Sequence, residues 1–354
     1  MALEAHPTKT VMVILGTKEF IEKTRKDVKA NPTIIQGNIV KEADFEIYLG
    51  QKVPTGGRKE YINQNLERKM QKVVTVSNQI RTLLKAPIFA RFGKLLAQKT
   101  LIVSQVIPTL TYGCQSWLFM NKEQIKKLES IQKKALTIIL GLPENTTYEI
   151  LLHQLGIYHA EQVIHCLKLK FFLNKLHIKR RGIFFKILRR EFTEDIPGSF
   201  AAEITALCQR YNLPNLNSHY VAKEQITEAV REVSMRKQWE VINKAKHIPN
   251  LIMNFTVVKR RSYFKLDSLK SRALLCFNSG NLILRVNKSY SMREKHQGSK
   301  RCLFEPLCLE LEDYPHFRSC PHYKTKYIDL GDDDLSLSTF LVSRNNGRQS
   351  RFGE

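Results

Sequence analysis

The chain is short of acid. Its 354 residues carry 33 Asp and Glu against 57 Lys and Arg, a formal net charge of +24. A surplus that large speaks of partners more than of fold, and it points to a polyanion, of which nucleic acid is the commonest. Cysteine is also scarce and odd in number, at seven. With no basic-then-apolar secretory pattern at the start, a disulfide framework is not expected. A reducing compartment is, nuclear or cytoplasmic and not secreted. No apolar run approaches the ~18 residues of a membrane span, so no membrane partner is expected. A Gly-rich phosphate loop, a serine nucleophile elbow and a convincing pair of acids are all missing, which leaves no recognisable hydrolytic or transferase centre. Core material is not missing: 43% of the residues are apolar. That excludes wholesale disorder, and the length suggests two or three domains.

What is present divides along the chain. The first fifty or so residues read as short antiparallel strands: Val11 to Leu15, a pair of apolar runs around Gly37-Asn38, and Phe45 to Gly50. Gly-Asn between apolar runs signals a tight hairpin, since Gly supplies the positive φ of a type II′ turn. Residues 17–30 are mostly charged and helix-compatible. From residue 61 the period becomes helical, with Leu66, Met70, Val73, Ile80 and Leu83 on one face and Ser77 filling the gap. A second helix carries Phe92, Leu95, Leu96, Ile102, Val103 and Val106 and is ended or kinked by Pro108. Asn121 with Gln124 forms an amide variant of the capping box for a third, which Gly141 closes. Thr146 and Glu149 open a short fourth helix that ends at Gly156. The predicted fold is therefore α+β and mostly α.

Beyond the bundle lie two basic stretches. Residues 168–190 hold Lys168, Lys170, Lys175, Lys179, Arg180, Arg181, Lys186, Arg189 and Arg190 with no acid, and residues 259–301 hold twelve Lys or Arg against Asp267 and Glu294. Arrays of this kind bind phosphate backbones through counterion release. In Lys259-Arg260-Arg261-Ser262-Tyr263-Phe264-Lys265 aromatics are interleaved that can stack on bases. For any single Lys or Arg a solvated helix face is the simpler reading. For the whole surplus it is not. The sharpest local pattern is Cys302-x5-Cys308-x7-His316-x3-Cys320, with His322 in reserve. Thiolate and imidazole suit a tetrahedral structural Zn²⁺, although the first gap is long and a chance scatter of Cys and His is the competing reading. Cys114, Cys166, Cys208 and Cys276 read as small core residues. Asp332 to Asp334 read as a solvated acidic patch.

Four ordered segments resemble the C-terminal half of non-LTR retrotransposon reverse transcriptases. Tyr112-Gly113-Cys114-Gln115-Ser116-Trp117, the helix around Leu128-Glu129 and Gln132, and Ile139-Leu140-Gly141 are similar to the thumb. Pro7-Thr8-Lys9-Thr10 resembles the segment after the palm's catalytic strands, Tyr48-Leu49-Gly50 the primer-grip strand, and the Cys/His cluster the C-terminal CCHC zinc knuckle. The resemblance implies a palm remnant over 1–58, a thumb-like bundle over 61–156, a basic connector over 157–300, a knuckle over 301–324 and a flexible tail over 325–354. It implies Zn²⁺ at Cys302, Cys308, His316 and Cys320, primer contact at Tyr48, Leu49 and Gly50, and a nucleotide-proximal Lys9. RNA and DNA contacts are expected at Lys179, Arg180, Arg181, Arg189, Arg190, Lys259, Arg260, Arg261, Tyr263 and Lys265. The family's Tyr-x-Asp-Asp hairpin, which holds catalytic Mg²⁺ in the complete enzyme, does not occur here, so the chain alone is not expected to polymerise DNA on an RNA template. Its partners would include the missing palm and fingers of the parent polyprotein. The competing expectation is a non-catalytic, zinc-containing protein-interaction module of a domesticated element.

Overall fold

The computed structural model describes residues 11–14, 18–35, 38–55, 57–86, 94–178, 182–244 and 275. These are mostly helical with a few short strands. At the N-terminal end come β1 (Val11–Met12), α1 (Lys18–Ala30), β2 (Ile34–Ile35), β3 (Asn38–Ile39), β4 (Lys41–Glu42), β5 (Phe45–Tyr48) and β6 (Gln51–Pro54). Of the three strand pairs among the described residues, two are antiparallel hairpins, β2 with β3 and β5 with β6. The third departs from the expectation: β1 runs parallel to β4, Val11 opposite Lys41. The cause is α1, since a helix between two strands makes the crossover that a parallel pair requires.

Both hairpins correct the predicted turns. Ile35 pairs with Asn38, so Asn38 belongs to the second strand and not to the turn. Tyr48 pairs with Gln51, so Leu49 and Gly50 form a two-residue turn where a continuing strand is predicted. Their φ values are +46° and +78°. Positive φ at both central residues is the type I′ geometry whose twist matches that of paired strands. The alternation in β5 does not bury one face: all four of its residues are exposed.

The helices follow their apolar spacing with informative exceptions. α2 (Arg58–Leu83) buries Ile62, Leu66, Lys69, Val73, Ser77 and Ile80, while Met70 and Leu83, predicted inward, are 39% and 53% exposed. α3 (Lys94–Leu101) does not end near Pro108. It widens into a π turn at Ile102–Val106 and continues as α4 (Ile107–Thr111). Proline has no N–H to give and its ring crowds the carbonyl four residues earlier, here Ser104, so a widened turn accommodates it. α5 (Lys122–Leu140) is capped as its spacing predicts. The Asn121 N–H donates to Gln124 Oε1 at 3.0 Å and the Gln124 N–H to Asn121 Oδ1 at 2.9 Å. It closes at Gly141 (φ +64°), where the Leu142 N–H reaches the Thr137 carbonyl. That is the Schellman arrangement, and Gly156 repeats it after α6 (Tyr148–Leu155), whose cap position is Thr147, one residue later than predicted. Next come α7 (Ala160–Leu173), which runs into a π turn at Asn174–Ile178, then α8 (Ile183–Thr193), α9 (Phe200–Arg210) and α10 (Lys223–Lys244).

The chain gathers into two compact units. One draws on Met1–Val73, Thr109–Ile131 and Ala160–Val230, the other on Val74–Pro108, Gln132–His159 and Arg231–Glu354. The core of the first is built from Leu66, Trp117, Leu128, Leu169, Phe172 and Ile204. The second buries Ile150 with Ile242 and a polar set. In that set Gln132 donates to the Tyr158 carbonyl at 3.0 Å and accepts from the Tyr148 hydroxyl, and His159 Nδ1 lies 3.0 Å from the Ser234 hydroxyl.

Within the first unit, polar contacts join α7 to α9 and its C-terminal end. Arg210 donates to Glu161 at 2.8 Å, and His165 Nδ1 lies 2.7 Å from the Tyr211 hydroxyl. Burial pushes His165 down to about 3, against the opposite pull of Glu161. The folded imidazole thus stays neutral while the unfolded one takes up a proton below about pH 6.5, its ordinary value. Folded stability should therefore fall as pH drops from there toward about 3, by about 1.4 kcal/mol per pH unit from this residue. Urea unfolding from pH 7 to 4.5 checks this. A His165→Gln variant should show a shallower loss, and an equal slope would contradict the assignment.

Candidate nucleic-acid interface

The β5–β6 hairpin is held by amides, not by an apolar face. Asn65 on α2, 1% exposed, acts as a substitute strand. It accepts from the Lys52 N–H at 2.9 Å and donates to the Lys52 carbonyl at 2.7 Å, satisfying both groups of that residue. Gln51 reaches the other way. Its Nε2 donates to the Tyr112 carbonyl at 3.0 Å, and its Oε1 accepts the indole N–H of fully buried Trp117 at 3.4 Å. Gly113 makes this approach possible. Its φ is +74°, and a Cβ there would sit 2.3 Å from Gln51 Nε2. The Tyr112 ring in turn lies over the turn, where a Cβ on Gly50 would be 3.3 Å from Cε1. Tyr48 and Leu49 project from this seat at 69% and 71% exposure.

The Tyr112–Trp117 segment is anchored from beneath by a desolvated ion pair. Lys168 on α7 is fully buried and donates to Glu203 on α9 at 2.7 Å and to the Trp117 carbonyl. The same Glu203 oxygen accepts the Phe119 N–H at 3.0 Å, which holds Phe119 at φ +49°. Removing one partner of such a pair costs about 3–5 kcal/mol, because the other charge stays buried. Lys168 therefore leaves the basic array in which the sequence counts it. Around this centre Tyr61 bonds Ser116 at 2.7 Å, and Gln124 Nε2 donates to the Lys59 carbonyl at 3.2 Å. The Cys114 thiol is buried and pushed up to about 12 by that burial, so it is inert.

Of the residues predicted for nucleic acid, the hairpin tip at Tyr48, Leu49 and Gly50 is exposed or at the surface of the turn. Arg189 on α8 is exposed, and Arg190 is committed to Glu194 at 2.8 Å. Lys9, Lys179, Arg180, Arg181, Lys259, Arg260, Arg261, Tyr263 and Lys265 lie outside the described residues, as do Cys302, Cys308, His316 and Cys320. Among the described residues no group of three or more His, Cys, Asp or Glu is placed to hold a metal ion, and no helix is long and apolar enough to cross a membrane. Sequence reasoning missed Gln51, Asn65 and Lys69. Lys69 had a signal, since it falls at an inward spacing of α2; the two amides had none.

If the Gln51 contact holds the hairpin, Gly113→Ala must displace it and adopt a disfavoured positive φ. The expected loss is about 2 kcal/mol or more. The urea midpoint of the variant measures it, and an unchanged midpoint would remove the contact from its structural role.

No protein family, curated protein or solved structure is found to match this chain.

Proposed function

We propose that the chain binds RNA and DNA as the C-terminal part of a retrotransposon-type reverse transcriptase, supplying a primer-grip-like hairpin, a thumb and a zinc knuckle. The observation that carries the reading is a contact. Tyr48-Leu49-Gly50 and Tyr112 to Trp117 each resemble a different segment of that family. Gln51 joins them across 61 and 66 residues of chain. The net charge of +24 supplies the attraction for a phosphate backbone. Three thiols and an imidazole at Cys302, Cys308, Cys320 and His316 are a donor set that suits Zn²⁺, which would contribute local folding free energy. Polymerisation would need the Mg²⁺-binding carboxylates of a complete enzyme.

A second reading has its own support. Ile34, Ile39, Tyr48 and Leu49 are 60%, 63%, 69% and 71% exposed. Apolar exposure of this order suits a protein-interaction module.

Titration of the full chain with an RNA–DNA hybrid separates the two. Backbone-driven binding should weaken at least about tenfold between ~50 and ~200 mM salt. A flat response rejects the nucleic-acid reading. Native mass spectrometry should find one Zn²⁺ per chain, and none after purification free of chelators would remove the knuckle.

A further inference from the structure

Lys69 occupies a position that the spacing of α2 gives to the core. It follows Ile62 and Leu66 and precedes Val73 on the same buried face, and it is 5% exposed. Its Nζ lies 4.9 Å from the centroid of the Tyr112 ring. That ring packs on the Gly50 turn. The contrast with Lys168 is direct. Lys168 is buried against a carboxylate; Lys69 is buried among cations. Burial first, then Lys72, then Arg68, pull its ammonium down to about 8. The one described group that acts the other way is the Cys114 thiol, which burial keeps neutral. Arg68 adds a second uncompensated group, because its Nη1 is buried with no hydrogen-bond partner.

A buried ammonium without a counter-charge is costly, so it gives up its proton or meets an anion. A phosphate offers several oxygens, which an ammonium and a guanidinium can share. We propose that Lys69, beside the Tyr112 ring and near Arg68 and Lys72 on α2, is the seat of a phosphate group. This deepens the nucleic-acid reading and rests on it for the source of the phosphate, a diester of a strand lying along the Gly50 turn. The geometry itself asks only for a phosphate anion.

Acylation footprinting of the full chain, read by mass spectrometry, tests the site. The rate at Lys69 is compared with that at exposed Lys186 in chloride, in inorganic phosphate at the same ionic strength, and with a saturating RNA–DNA hybrid. Phosphate should slow Lys69 several-fold and leave Lys186 unchanged, and the hybrid should protect Lys69 as well. Lys69→Met should bind the hybrid about tenfold more weakly, with a log–log salt slope shallower by about 0.9, while Lys69→Arg keeps most of the affinity. Circular dichroism and the urea midpoint establish that both variants fold. Equal Lys69 rates in all three conditions overturn the site. Were the chain still to bind the hybrid with steep salt dependence, only this inference would fall. Protection by phosphate in a chain that ignores the hybrid would keep the site and remove the nucleic-acid reading instead.

Discussion

The side chain of Gln51 is the joint on which the first unit turns. One amide satisfies a carbonyl at Tyr112 and an indole N–H at Trp117, and so ties the hairpin to the centre of a core. A strand pair this short, with β5 exposed on both faces, has almost no apolar burial of its own to set its position. Polar bonds with strict geometry do what packing cannot. Gly113 belongs to the same constraint, since any Cβ there would occupy the volume the amide needs. Asn65 completes it by giving the open edge of β6 the two hydrogen bonds that a neighbouring strand would have given.

The device recurs. Gln98 donates to the Ile139 carbonyl, Gln132 to that of Tyr158 and Gln238 to that of Ile157. Each acceptor lies at a helix end or in a connection, where backbone carbonyls lose their intrahelical partners. A glutamine can reach such a carbonyl from a neighbouring helix without bringing charge into the core. Because an unmet buried amide is expensive, each of these contacts favours one register of its elements over its alternatives.

Much of this was legible in the sequence, for reasons that can be named. The apolar period gave the long helices, and the Asn121–Gln124 pair and the glycines at 141 and 156 gave their ends, because caps are local and depend on a few adjacent residues. The parallel pairing of β1 with β4 was not legible from strand patterns, which carry no direction; it follows from α1 lying between them. Leu49 hid a turn, because an apolar residue continuing an alternating run reads as strand until its pairing is known. Pro108 reads as an end or a kink and no more, because the π turn that absorbs it has no sequence signature. Gln51 and Asn65 were invisible since a surface amide and a latching amide are the same residue until the third dimension selects one.

The two lysines show how far composition can carry a functional argument. A net charge of +24 says that cations outnumber anions, but not which of them remain available to a ligand. Lys168 is spent internally on Glu203. Lys69, equally inward on its helix, is acted on by Lys72 and Arg68, and among the described residues no carboxylate answers it. Availability is thus a property of place: a charge matched inside the fold is spent there, and a charge with no carboxylate partner among the described residues is left open to a ligand. In the first unit that charge lies beside the hairpin that the Gln51 amide holds in position, so the same contact that organises the core also decides where an anion would be received.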